Sequence, residues 1–239
     1  MVTKQTNDFS ALDFTSGEII LINKPKYWSS YKAVHKVKKA IGVKKVGHAG
    51  TLDPFATGLL ILCTGKKTKM LSQFQNSNKT YDGILTLGKT SPSMDTETEI
   101  TNHALPNDIN DKKIIEVKNQ FLGEIEQIPP MYSALKVTGT KLYTFARKNK
   151  TIERKPRKIF IYDFKIKKID LPDIHFEITC SKGTYIRVIA NDFGEKLGCG
   201  GILSNLKRIK IGEYKIEDAL GVDEFIELVD ECTKKGETA

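Results

Sequence analysis

Residues 47–58 read Gly-His-Ala-Gly-Thr-Leu-Asp-Pro-Phe-Ala-Thr-Gly, a run with three glycines, one imidazole, two hydroxyls and a single carboxylate. That carboxylate, Asp53, precedes Pro54, and a residue before proline is pushed out of the helical region into an extended backbone. Glycines at this density mark a backbone that must reach positive φ or let another group come close. Lys44 and Lys45 precede the run, and Lys66, Lys67 and Lys69 follow it. A lone carboxylate fixed in a glycine-rich loop among cations can act as a nucleophile or a base toward a polyanion. The same residues can also form an Asx turn that only steadies the loop.

A second stretch, residues 128–158, interleaves Tyr132, Tyr143 and Phe145 with cations running from Lys136 to Lys158. Aromatic faces stack on bases while cations meet phosphates. An amphipathic helix with Leu142 and Phe145 in a core is the structural alternative.

The totals narrow the class. At 239 residues and 39% hydrophobic, the chain can bury a substantial core as one large domain or two small ones. A net charge of +9 favours a polyanionic partner, either nucleic acid or an anionic membrane surface. Met1 to Asp8 is polar and lacks a signal-peptide apolar segment. No apolar run approaches the roughly 20 residues of a membrane span, so a cytoplasmic location is expected. Cys63, Cys180, Cys199 and Cys232 form no CxxC pair and read as reduced thiols packed as small apolar groups. His35, His48, His103 and His175 show no ligand spacing, so no metal site is expected.

The elements that must position these groups follow from periodicity and punctuation. Residues 1–16 read as a loose leader. Glu18 to Asn23 is a short apolar strand. Ser29 or Ser30 caps a helix with Ala33, Val34, Val37, Ala40 and Ile41 on one face and Lys32, Lys36, Lys38 and Lys39 on the other. Leu59 to Cys63 is a buried strand, Met70, Leu71 and Phe74 mark a helix, and Lys79 to Gly88 is a strand containing Tyr81. Residues 90–101 are a polar loop. Asp111 caps a helix that runs through Ile114, Val117 and Phe121 and stops at Gly123. Strands over 159–169 and 174–180 meet at Pro172-Asp173, and the second alternates with the period of a half-buried strand. A helix follows with Ile186, Ile189, Ala190, Phe193 and Leu197 on one face. A further short helix over 202–209 presents Lys207, Arg208 and Lys210, and an acidic helical pattern begins near Glu217. Interspersed strands and helices with hairpin connections predict an α+β (mixed α/β) fold with a mainly antiparallel sheet.

Several segments taken together resemble one family. They are Lys24-Pro25 with Ser29-Ser30, then residues 47–54 with Ala56-Thr57-Gly58, then Lys79-Thr80-Tyr81 and Gln127 to Lys136. Leu142-Tyr143, Ala146-Arg147, Cys180 to Arg187 and Leu206-Lys207-Arg208 complete the set. In this order, over roughly residues 18–221, they resemble the TruB-type tRNA pseudouridine synthases. The resemblance implies a pseudouridine synthase fold, with flanking helices around a central sheet cut by an active-site cleft. It implies a catalytic domain over 17–221, an RNA-covering insertion over 128–158, and a short C-terminal helix or tail over 222–239. It also implies isomerisation of uridine 55 in the T-loop of tRNA: the uracil leaves ribose C1′ and rejoins through C5. Neither a metal nor an organic cofactor is implied, nor an obligatory protein partner, and the chain is expected to act as a monomer.

The resemblance assigns roles residue by residue. Asp53 matches the catalytic aspartate, and Arg187 matches the arginine that pairs with it. Tyr81 matches the tyrosine that stacks on the flipped uracil, its hydroxyl placed for proton transfer at C5. His48 matches the histidine that enters the T-loop. Tyr185 and Leu206 match positions lining the uracil site, and Lys24 a lysine supporting the cleft. Four positions depart from the pattern. Tyr27 stands where glycine is usual, and Lys32 replaces a common aspartate. Thr98 takes the second acid position of an Asp-Thr-x-Asp loop, which leaves that loop's hydrogen bond open. Lys207 replaces a frequent arginine, which makes a phosphate contact less directional. The chain stops before the PUA-type domain many members carry, so a weaker grip on the acceptor arm is expected, with T-loop recognition intact. Two other readings use the same scaffold: a non-catalytic RNA-binding or refolding module, and a guide-RNA-dependent relative acting on ribosomal RNA. Asp53, Tyr81 and Arg187 together favour the enzyme.

Overall fold

The runs Ile19-Ile20-Leu21-Ile22 and Leu59-Leu60-Ile61-Leu62-Cys63 are apolar at every position. A strand needs that only when both of its faces are covered. In a computed structural model of the chain, which describes residues 1–237 and side chains through Lys234, both runs are such strands. In chain order the strands begin with β1 (Ile19–Lys24), β2 (Val46–His48), β3 (Thr57–Thr64), β4 (Lys79–Leu87), β5 (Lys89–Thr90), β6 (Thr101–Asn102) and β7 (Gly123–Gln127). They continue with β8 (Lys136–Val137), β9 (Thr140–Lys141), β10 (Arg157–Asp170), β11 (Asp173–Cys180), β12 (Gly201–Ile211), β13 (Tyr214–Lys215) and β14 (Leu220–Gly221). The helices are α1 (Ser30–Ala40), α2 (Leu71–Asn76), α3 (Asp111–Asn119), α4 (Leu142–Ala146), α5 (Ile186–Lys196) and α6 (Val222–Glu237).

The chain forms two compact units, one of residues 1–81 with 207 onward, the other of residues 82–206. Both boundaries fall inside strands, β4 and β12. In the first unit the strand order is β14-β1-β3-β12, with β2 on β3 and β13 on β12. β1 runs antiparallel to β3 from Ile19↔Cys63 to Lys24↔Gly58, while β12 pairs parallel with β3 at Thr57 and Gly58. Ile20, Ile22, Leu60 and Leu62 pack on Ala33 and Val37 of α1 and on Phe225 and Val229 of α6. The alternate residues, Ile19, Leu21, Leu59, Ile61 and Cys63, pack with Phe74 of α2 on the other face. Each fully buried large aliphatic side chain stabilises by about 1.5–3 kcal/mol, so β1 and β3 anchor this unit. Ser29 caps α1, its hydroxyl accepting from the Lys32 amide at 3.1 Å.

In the second unit the order is β12-β4-β11-β10-β7. β10 and β11 form a long antiparallel hairpin closing at Asp170↔Asp173, and β7 pairs antiparallel with β10. Ile174, Phe176, Ile178 and Cys180 of β11 are all buried, as their alternation predicts. Phe121, Phe164, Phe176 and Phe193 form the aromatic centre, with ring centroids 5.6–6.3 Å apart. The fold is α+β around a central mixed sheet, with antiparallel pairs in the majority among the described pairings.

Three local expectations are corrected. The leader is docked, not loose: Val2 donates to Ile19 O at 2.7 Å and accepts from the Leu21 amide at 3.1 Å. Val2 is fully buried, and the Phe9 ring meets Phe225 edge-on at 6.0 Å. Residues 202–209 are not a helix but most of β12. Their apolar spacing mimics a helical face, yet pairing with strands distant in sequence decides the outcome. The cap of α3 is Asn110, whose side chain accepts from the Lys113 amide at 3.0 Å, and the helix ends at Asn119. Residues 238 and 239 of the expected C-terminal tail lie outside the described residues, and α6 occupies the rest. Among the described residues no helix is long and apolar enough to cross a membrane.

Docking of the leader sets a testable expectation. Val2→Ala should lower unfolding stability by about 1–2 kcal/mol, the transfer and cavity cost of the two lost methyl groups. Denaturant titration of both proteins measures it, and identical midpoints would mean an undocked leader.

Candidate functional site

In the first unit the 49–56 loop joins the antiparallel strands β2 and β3, and Asp53 sits half-buried within it. The loop is tied down from several directions. From α1, the Ser30 hydroxyl accepts from the Leu52 amide at 2.8 Å and donates to Leu52 O at 3.1 Å. From the end of β1, Lys24 Nζ donates to Pro25 O, Trp28 O and Pro54 O at 3.0, 2.6 and 3.4 Å. The Tyr27 amide donates to the same Pro54 O at 2.7 Å. From β12, Arg208 donates through Nε to Leu59 O at 2.8 Å and through Nη2 to Gly50 O at 3.1 Å. Leu52, Phe55 and Ala56 are buried beneath the loop, and the Ala56 amide closes a turn on Asp53 O at 3.1 Å. Asp53 is thus flanked on both sides by fixed backbone.

Two glycines make this possible. Gly50 takes φ +90°, a conformation that side chains resist. At Gly58 a Cβ would lie 2.3 Å from Arg208 O, so only glycine lets β3 and β12 approach. Arg208, expected on a surface, is 1% exposed. Its role was missed because its partners lie about 150 residues away in the chain; the only local sign was its place in the Leu206-Lys207-Arg208 motif.

His48 ends β2, opposite Leu62. Burial lowers its pKa, the nearby Arg208 charge lowers it further, and a Gly50 backbone hydrogen bond opposes both. The imidazole is therefore held neutral near pH 7. Tyr81 is buried on β4, and two residues earlier Lys79 caps α2, donating to Phe74 O, Gln75 O and Ser77 O at 2.6–3.1 Å. Burial pushes the Cys63 thiol up to about 11, consistent with a packed, unreactive group. No group of three His, Cys, Asp or Glu that could hold a metal ion occurs among the described residues.

In the second unit the start of α5 carries Tyr185 and Arg187. Gln127 brackets Tyr185, its Oε1 accepting from the Tyr185 amide at 2.8 Å and its Nε2 donating to Tyr185 O at 3.1 Å. Arg187 is buried and ion-paired with the fully buried Asp95 at 3.4 Å. Asp95 Oδ1 in turn accepts from the Ser93 hydroxyl at 2.5 Å and the Glu97 amide at 2.9 Å. Asp95 was not among the expected site residues, although the Asp-Thr-x-x pattern held the signal. Thr98 supplies the loop hydrogen bond that its place in that pattern left open: its hydroxyl accepts from the Ser93 amide at 3.1 Å and meets the Ser93 hydroxyl at 2.7 Å. Leu206 is buried on β12. In the 128–158 stretch, β8 and β9 form a small hairpin ahead of α4. Leu142 is buried there, while half-buried Tyr143 has Lys141 and Arg147 5.4 and 5.3 Å from its ring centroid.

The chain is similar to known proteins. Residues 38–186 match the model of the TruB family pseudouridylate synthase (N terminal domain). A Flavobacterium johnsoniae protein named tRNA pseudouridine synthase B is 46% identical over 222 residues, 90% of this chain and 97% of that protein. A Phocaeicola vulgatus protein of the same name is 42% identical, covering 92% of this chain and 96% of its own length. Among solved structures, a chain of a Cbf5-Nop10-Gar1 complex superposes with a TM-score of 0.73 at 27% identity, covering 93% of this chain and 57% of its own length. This chain thus spans a little over half of that longer one. A chain of the archaeal box H/ACA sRNP Nop10-Cbf5 complex shares the fold at a TM-score of 0.69 and 24% identity.

The His48 environment predicts a pH effect on stability. The folded imidazole binds its proton less tightly than the ordinary value of 6.5, so below that pH the unfolded chain takes up more protons and stability falls as pH falls. Chemical unfolding from pH 8 to pH 5 should show a steeper loss for the natural chain than for His48→Gln. Parallel curves would mean that His48 titrates normally.

Proposed function

The chain belongs to the TruB family of pseudouridylate synthases, which makes it a pseudouridine-forming isomerase, and we propose that its substrate is uridine 55 in the T-loop of tRNA. The observation that carries this reading is the near end-to-end match to proteins named for tRNA, joined to a fixed Asp53 loop. The reaction exchanges bonds within one nucleotide. The C1′–N1 bond breaks, the uracil turns, C1′ bonds to C5, the C5 proton leaves, and N1 ends protonated. No atom is gained or lost, so the demands on the protein are extrusion of the base, a carboxylate held in place and a route for one proton.

The target base must leave the stack, at a cost of a few kcal/mol. In this reading a neutral His48 enters the T-loop and takes over the vacated space. Tyr81 stacks on the extruded uracil, and its hydroxyl moves the C5 proton. Asp53 serves as nucleophile or as deprotonating base, and its place between fixed backbone groups suits either role. Arg187 is assigned to orient that carboxylate, Tyr185 and Leu206 to line the uracil site, and Lys24 to support the loop through Pro54. The Tyr143 cluster and the chain's net charge of +9 serve backbone binding. The chain acts in the cytoplasm on bare tRNA as a monomer, without metal, organic cofactor or protein partner.

Asp53→Asn should abolish pseudouridine formation in T-arm RNA while leaving affinity within about tenfold, a change of roughly 1.4 kcal/mol. Turnover by the natural chain on that RNA also separates the enzyme from a refolding module, which would only bind. A guide-dependent relative would not turn over at all. Near-normal activity of the Asn variant would refute the assignment. Affinity should also drop steeply as salt rises, since displaced counterions drive such binding; equilibrium binding across a salt series measures the slope, and a flat response would remove the electrostatic contribution.

A further inference from the structure

Tyr27 holds a backbone conformation that its side chain disfavours. Its φ is +64°, in the left-handed region where Cβ crowds the following carbonyl. Such a conformation persists only where the surrounding structure holds it, and burial of the ring does not do so here, because Tyr27 is 76% exposed. The one described contact to the ring is with a cation, Lys26 Nζ, 5.2 Å from its centroid. The backbone beneath it is firmly held. The Tyr27 amide donates to Pro54 O at 2.7 Å, which mounts the ring one residue from Asp53. A strained, exposed aromatic fixed beside a reactive loop is the kind of outlier from which function is inferred.

The neighbouring residues indicate what the ring meets. Lys32 Nζ lies 4.2 Å from the Trp28 ring centroid. Tyr31 is also 76% exposed and stacks on His35 with centroids 6.0 Å apart and planes 19° apart. Residues 26–36 thus alternate aromatic rings with Lys26, Lys32 and Lys36. Rings among cations hold unstacked nucleotides, the rings taking bases and the cations phosphates. The core of a protein–protein interface is depleted in lysine, and three lysines stand among these rings.

We infer that Tyr27 is a nucleotide-stacking residue beside the Asp53 loop, receiving an unpaired base of the substrate RNA other than the reacting uracil. The inference rests on the functional reading above. A ring held on a fixed backbone loses little freedom when a base stacks on it, so it adds affinity without taking part in bond exchange.

The test uses the full chain and a T-arm stem-loop RNA, with KM, kcat and thermal midpoint measured for Tyr27→Gly, Tyr27→Asn and Tyr27→Phe. Glycine and asparagine both accept the left-handed backbone, so the turn is kept while the ring is lost. Both should raise KM about fivefold or more, the loss expected for one stacked base. Both should keep kcat within about twofold, with a thermal midpoint equal to or above that of the natural chain. Tyr27→Phe keeps the ring and should match the natural chain. Unchanged KM in the Gly and Asn variants, an equal loss in Phe, or a fall in kcat alone would each overturn the inference. A natural chain that fails to convert the RNA would instead overturn the functional reading itself.

Discussion

Buried cations that grip backbone carbonyls set the shape of the Asp53 loop, and the rest of the site depends on them. A charge taken out of water is costly unless hydrogen bonds replace its hydration. Arg208 and Lys24 are both fully enclosed, and both direct their donors at carbonyl oxygens. The guanidinium of Arg208 spans two of them, Leu59 O on β3 and Gly50 O in the loop, so its rigid fork fixes the spacing of strand and loop. Lys24 gathers Pro25 O, Trp28 O and Pro54 O around one ammonium group. Losing Arg208 would take a donor from two carbonyls and losing Lys24 from three, and the backbone on either side of Asp53 would lose those ties.

The second unit solves a related problem with a carboxylate. Arg187 lies in the first turn of α5, which has no acidic residue of its own there, and a cation at a helix N-terminus opposes the helix dipole. Asp95 compensates from a separate loop, and Ser93 and the Glu97 amide hold its carboxylate in turn. The guanidinium is thereby held in place. In the first unit Asp53 is half-buried among fixed backbone groups, and in the second Arg187 is itself buried against its partner.

Much of this was legible in the chain itself. Unbroken apolar runs at β1 and β3, strict alternation in β11 and a serine cap on α1 are local patterns, and local physics produced what they predicted. The Asp53 loop stood out because its glycines and Pro54 are unusual together. What stayed hidden depends on contacts distant in sequence. Ile202, Leu206 and Ile209 share a helical spacing, but hydrogen bonds offered by β3, at Thr57 and Gly58, impose a strand. That pairing turns Arg208 inward, where no surface reading would place it. Val2 docks because β1 leaves Ile19 O and the Leu21 amide open to it, a vacancy that the polar leader sequence does not advertise. Asp95 was overlooked because its significance lies in Arg187, on another element.

The departures from the family pattern can be sorted by whether they disturb backbone or only side chains. Thr98 stands in the position where the resemblance expects an acid, and its hydroxyl accepts from the Ser93 amide and closes the loop. Lys32 stands where the resemblance expects an aspartate, on an exposed face, with its ammonium group over the Trp28 ring. Lys207 is exposed on β12 beside the enclosed Arg208, so the change affects what the surface can grip, not how the strand is held. Tyr27 is the exception, because its substitution acts against the backbone: the position needs φ +64°, which glycine would take freely. The chain keeps that turn with a residue that resists it, and the Pro54 hydrogen bond holds it there. A conformation held at a cost persists only where the surrounding structure fixes it, and here that structure is the backbone next to Asp53.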